Sequence, residues 1–151
     1  MTFSKDVLDN VLTFLKANIE AVLVLCEADY HVTVDRVKHF ETYVFNDGQT
    51  PFAVLYEEQT PYEMETLQNY LKRFELAVDV KDSGFRVDQV RANLYAYRDA
   101  VSYLVEHNPT LGNICVQAYM IEVKPPLLMQ DAGGANWTGV IEMKFTVETV
   151  G

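Results

Sequence analysis

The chain has three histidines, His31, His39 and His107, the side chains whose ordinary titration falls nearest neutral pH. None stands in a metal-binding spacing such as His-x-x-x-His, and no Cys-x-x-Cys clip accompanies them. His31 and His39 do lie among Glu27, Asp29, Asp35 and Glu41, which sketches a weak metal site. Exposed loop histidines explain the same pattern more simply, and no metal is expected. Glu57 and Glu58 are paired acids at a strand end, the residue type that split pKa values turn into an acid and a base. Adjacent strand residues point to opposite faces, so these two cannot act on one bond. The favoured reading is a solvated acidic loop from Glu57 to Glu65, with Glu57, Glu58, Glu63 and Glu65 and no basic residue.

Covalent and nucleotide chemistry find no better footing. No serine sits in a Gly-x-Ser-x-Gly turn, and Cys26 and Cys115 each lie in an apolar stretch, where two buried free thiols are expected. Gly133-Gly134 lacks the Lys-Ser/Thr of a phosphate-binding loop and opens no helix. The residues therefore point away from an enzyme, and no cofactor is expected.

The elements that carry these residues can be read from periodicity. Val7, Leu8, Val11, Leu12, Leu15, Ile19, Val22 and Leu23 recur at helical spacing within residues 4–26. From Glu27 to Gln49 neither period persists, and a mixed loop is predicted. Phe52 to Tyr56 reads as a buried strand, and Phe74, Leu76, Val78 and Val80 alternate with polar residues as a strand with one face in the core. Val87, Val90, Leu94, Tyr97, Val101 and Leu104 predict a second helix that Asn108-Pro109 stops. Two long strands, Ile114 to Lys124 and Trp137 to Val150, close the chain around an insertion from Pro125 to Asn136. The order helix, strand, strand, helix, strand, strand predicts one α+β domain over residues 1–151, built on a mainly antiparallel four-stranded sheet.

Composition bears on partners. With 22 acidic and 12 basic residues the formal charge is -10, which repels phosphate backbones and argues against specific nucleic-acid binding. The same charge suits a wall past which DNA must slide without sticking. The apolar run from Ala21 to Cys26 is no signal peptide, and no stretch nears the roughly 20 apolar residues that cross a bilayer. Folding in a cytoplasm, away from membranes, is expected. The insertion carries Leu127, Leu128 and Met129 beside Gly133 and Gly134, apolar side chains on an arm that can move. There are nine tyrosines, of which Tyr95 and Tyr103 fall off the core stripe of their helix. Tyrosine favours surfaces that become interfaces, so both features predict contact with another subunit.

An amphipathic first helix, the Pro51 to Glu58 strand, the Phe74 to Val80 strand, the helix through Tyr95 and Tyr103, and the closing strand pair with its extended loop resemble the tail terminator proteins of long-tailed bacteriophages. These are also called minor tail or tail completion proteins, and the resemblance spans most of the chain. It implies a structural virion protein, not an enzyme, that forms a ring, expected to be a hexamer, on the finished tail tube. Such a ring stops tube polymerisation and offers the surface for head-tail joining. Its partners would be further copies of itself, the tail tube protein and a head-side connector or stopper protein, with DNA passing through unbound. It would be assembled in the host cytoplasm and reside in the virion at the head-tail interface. Another neck or head-completion protein, or a small acidic DNA-mimic inhibitor, are the alternatives.

Overall fold

The computed structural model describes residues 4–45, 47–59 and 71–150. The first apolar stripe forms α1, Ser4–Tyr30, which buries Val7, Val11, Leu15, Ile19 and Leu23 and ends where His31 turns left-handed at φ 57°. The second forms α2, Val87–His107, on the stripe Val90, Leu94, Tyr97, Val101 and Leu104. The strands are β1 His39–Glu41, β2 Phe52–Gln59, β3 Leu71–Gly84, β4 Gln117–Val123, β5 Leu127–Gln130 and β6 Trp137–Val150.

The predicted four-stranded sheet is wrong in count and order. Among the described residues the sheet is mixed and has six strands, in the order β1-β2-β3-β6-β4, with β5 also pairing β6. The chain therefore runs α-β-β-β-α-β-β-β. Two short strands account for the difference. β1 comes from the stretch predicted as mixed loop and lies parallel to β2, pairing His39 with Phe52 and Glu41 with Val54. Three residues, of which only Phe40 is buried, are too few to display a two-residue period.

The second short strand corrects the reading of the insertion. Leu127 to Gln130 pairs in antiparallel register with Val140 to Trp137, so β4 and β5 lie end to end along one side of β6. Pro125 and Pro126, which have no N–H to give a ladder, separate them. What is left is a hairpin tip, closed by Asp131 N donating to Asn136 O at 2.8 Å and by the Gly133 and Gly134 amides donating to Asp131 O at 2.9 Å. Gly133 and Gly134 thus belong to a hydrogen-bonded turn.

β3 and β6 form the spine, paired from Leu71 with Val150 to Gly84 with Trp137. Their alternation sends Phe74, Leu76, Val78, Val80, Ile141, Met143, Phe145 and Val147 into one core shared with both helices. α2 comes unusually close to β6 because residue 139 is glycine. A Cβ there would lie 2.6 Å from Leu94 Cδ1 and 2.7 Å from Leu128 Cδ2. Cys26 is buried and Cys115 half-buried, both as free thiols, and burial pushes the Cys115 thiol up to about 11.

Candidate functional site

The same alternation that fills the core sends every second strand residue to the opposite face, where the described residues place no helix. Register arranges them in rows across the strands. Phe52, Lys81, Val140 and Leu127 form one row, and Val54, Asp79 and Glu142 the next. Tyr56, Ala77, Lys144 and Glu122 form a third.

One end of this face is apolar. Leu127, Met129 and Val140 are 65%, 63% and 40% exposed. The chain after β1 folds over the neighbouring strands, so that Tyr43, Val44, Phe52, Val54 and Val140 line a cavity of about 450 Å³. Phe45 props this segment, its ring 4.3 Å from that of His39 and 5.0 Å from that of Tyr43. His39 in turn is held by Asp47 at 2.5 Å.

The middle of the face is a network of charges. Asp79 and Glu142 are cross-strand neighbours, and the Tyr56 hydroxyl donates to Asp79 at 3.2 Å. Lys144 reaches Glu58 at 2.8 Å and Glu142 at 3.4 Å, while Lys124 reaches Glu142 at 3.2 Å. Burial, then the charge of Glu142, pushes the Asp79 carboxyl above its ordinary value. Burial pushes Glu142 the same way, but hydrogen bonds from Lys124 and Lys144 outweigh it and hold this carboxyl low. Lysines and a tyrosine hold these carboxylates, while Asp79 Oδ1 stays buried with no hydrogen-bond partner among the described residues.

The structure separates the residues singled out by sequence. Leu127 and Met129 point to the open face, whereas Leu128, one residue between them, packs into the core opposite Gly139. Tyr95 and Tyr103 are on the outward side of α2, in the other layer. Tyr103 stacks on His107 with centroids 4.0 Å apart. Glu58 is tied to Lys144, and Glu57 pairs in register with core-facing Leu76, so the two acids do diverge. Glu63 and Glu65 lie outside the described residues. The acids around His31 and His39 do not converge: Glu27 accepts the Val34 amide and the Arg36 guanidinium, each at 2.8 Å. Among the described residues no group of three or more His, Cys, Asp or Glu could hold a metal ion, and no helix is long and apolar enough to cross a membrane. Sequence reasoning missed Tyr43, Val44 and Val140. The apolar run Tyr43-Val44-Phe45 was the available signal.

No family model matches the chain, and no functionally described protein sequence does. Among solved structures, a chain from the virion of a native gene transfer agent particle is similar, with a TM-score of 0.48 at 11% identity. The match covers 87% of this chain and 92% of that one.

Proposed function

We propose that this chain is a structural virion subunit of the tail terminator kind. Copies close into a ring, a hexamer by the resemblance drawn from sequence. The ring caps the tail tube, stops its growth and presents the surface to which the head-side connector docks. The observation that carries this reading is the apolar end of the helix-free sheet face. Leu127, Met129, Val140, Tyr43 and Val44 lie exposed there together, and apolar residues clustered this way mark a surface meant to be covered. The net charge of -10 supports the same reading, since carboxylates lining a channel would let DNA pass without lasting contact. No catalytic step belongs to it.

The test is light scattering and electron microscopy on the purified protein, alone and mixed with tail tubes, for wild type and for Leu127→Ser/Met129→Ser. Closed rings or density capping one tube end are expected for wild type and should be lost in the variant. A wild-type protein that neither forms rings nor caps tubes refutes the reading.

A further inference from the structure

Tyr43, Val44 and Phe45 stand over the apolar end of the sheet face without being tied to it. Among the described residues no hydrogen bond joins any of the three to the strands beneath. A cavity of about 450 Å³ lies between Tyr43 and Val44 on one side and Phe52, Val54 and Val140 on the other. The segment is held at its flanks instead. Before it, β1 fixes His39 opposite Phe52. After it, Asp47 Oδ2 meets His39 Nε2 at 2.5 Å. Between the two, the Phe45 ring lies against both the imidazole and the Tyr43 ring. One polar contact and two ring contacts thus keep these apolar side chains in place.

The polar contact responds to a proton. A carboxylate only accepts, so His39 Nε2 carries a hydrogen in both states of the ring, and the titrating proton goes on Nδ1. Protonation therefore keeps the hydrogen bond and adds the attraction of opposite charges. The charges nearby leave Asp47 as the counter-ion. Lys16 of α1 is paired with Glu41 at 3.2 Å, and Arg36 with Glu20 and Glu27 of α1 at 2.8 Å each, while Lys38 lies in the same groove. Among the described residues only Asp47 comes within ion-pair distance of His39. The Gln49 amide, and after it His39, hold the Asp47 carboxyl below its ordinary 3.8 against the effect of burial, so it stays charged while an imidazole titrates.

We propose that His39 and Asp47 form a pH-sensitive latch that orders Tyr43 and Val44 as part of the docking surface and closes more tightly when His39 is protonated. The latch rests on the ring reading for what docks there and adds its regulation. A surface already held in its docking shape binds more tightly than one that must be ordered on contact. Docking and protonation of His39 favour the same state, so each strengthens the other. Affinity should rise as pH falls through the range in which histidine titrates. With the two side chains 24% and 39% exposed, the rise is at most about fivefold.

Nitrogen-15 relaxation of the free protein tests the latch without any assembly. The Tyr43, Val44 and Phe45 amides should be more ordered at pH 6.0 than at pH 8.0. Asp47→Asn should loosen them at both pH values, and His31→Asn/His107→Asn should keep the wild-type response, which assigns it to His39. Amides equally ordered at both pH values, or a response that survives Asp47→Asn, overturn the proposal whatever the fate of the ring. In the His31→Asn/His107→Asn background, capping of tail tubes should be up to about fivefold tighter at pH 6.0 than at pH 8.0, and adding Asp47→Asn should remove the difference. Capping of equal affinity at both pH values without Asp47→Asn overturns the proposal and leaves the ring reading standing. Ordering that follows pH as expected, with no ring or tube capping by wild type, supports the latch and removes the ring.

Discussion

Replacing Asn93 by Asp changes one atom type at a buried polar junction of the fold. Asn93 is 1% exposed, and its Nδ2 donates to Asp82 at 2.8 Å and to Asp35 at 3.0 Å. Its Oδ1 accepts from the Asp35 amide and from Gln89, both at 2.8 Å. The amide group thus stands between two carboxylates and ties α2 to the end of β3 and to the segment leading into β1. An aspartate keeps the shape but turns both donated bonds into contacts between acceptors. Hydrogen bonds to charged groups contribute about 1.5–3 kcal/mol each, so the loss should be about 3–6 kcal/mol at pH 7.5. That is comparable to the whole stability of many domains, about 5–15 kcal/mol. The pH dependence has a definite sign. Burial, opposed by hydrogen bonds from Asn93 and the Ser83 amide, leaves the Asp82 carboxyl above its ordinary 3.8 in the folded state. The folded state therefore binds more protons, and this group's contribution to stability falls as pH rises from 3.8 through the folded value. A third carboxyl in the junction steepens that fall, and protonating one of the three restores a donor. Urea denaturation followed by circular dichroism at pH 7.5 and pH 5.0 should show the deficit of Asn93→Asp narrowing at the lower pH. A deficit under about 1 kcal/mol at pH 7.5, or one that does not narrow, refutes this account of the junction.

Gly139→Ala should cost about 1–3 kcal/mol by overpacking against Leu94 and Leu128. Adding Leu128→Ala should recover part of that loss, a coupling that urea denaturation of the four proteins of the cycle measures. Leu127→Ser/Met129→Ser should leave the denaturation midpoint within about 0.5 kcal/mol of wild type, whereas Leu128→Ser should lower stability by about 2 kcal/mol, because only Leu128 packs in the core. Asp79→Asn removes a carboxyl that burial and Glu142 hold above 3.8. Since that raised carboxyl disfavours the fold above the window, the variant should be more stable by up to about 1 kcal/mol at pH 7, allowing for solvent screening, and equal to wild type near pH 3.

Both helices and the long strands were legible because each buries a full stripe or a full alternating face over many residues. Phe74 to Val80 and Val87 to Leu104 are the clearest cases. β1 was not legible, because a three-residue strand shows no period and it pairs in parallel with β2, which begins well beyond it in sequence. β5 was hidden by its neighbours: Pro125-Pro126 before it and Gly133-Gly134 after it are loop signals, and they delimit a strand of only four residues. The candidate site was half legible. Composition points to Leu127, Leu128 and Met129 alike, and a stretch that reads as loop carries no alternation to set Leu128 apart from the other two. Val140 meets Leu127 only through sheet register, which pairs residues far apart in sequence, and Tyr43 and Val44 join Val140 only where the chain after β1 lines the same cavity.

The two margins of the sheet carry a further consequence. A free strand edge invites unlimited pairing with other molecules and is a route to fibres. Here β1 is three residues long, and the opposite margin is interrupted by an irregularity between Met120 and Glu122 and by Pro125-Pro126. Among the described residues the β4–β5 margin offers no long straight template. A margin blunted in this way discourages open-ended edge pairing, and under the ring proposal copies would meet through side-chain surfaces instead.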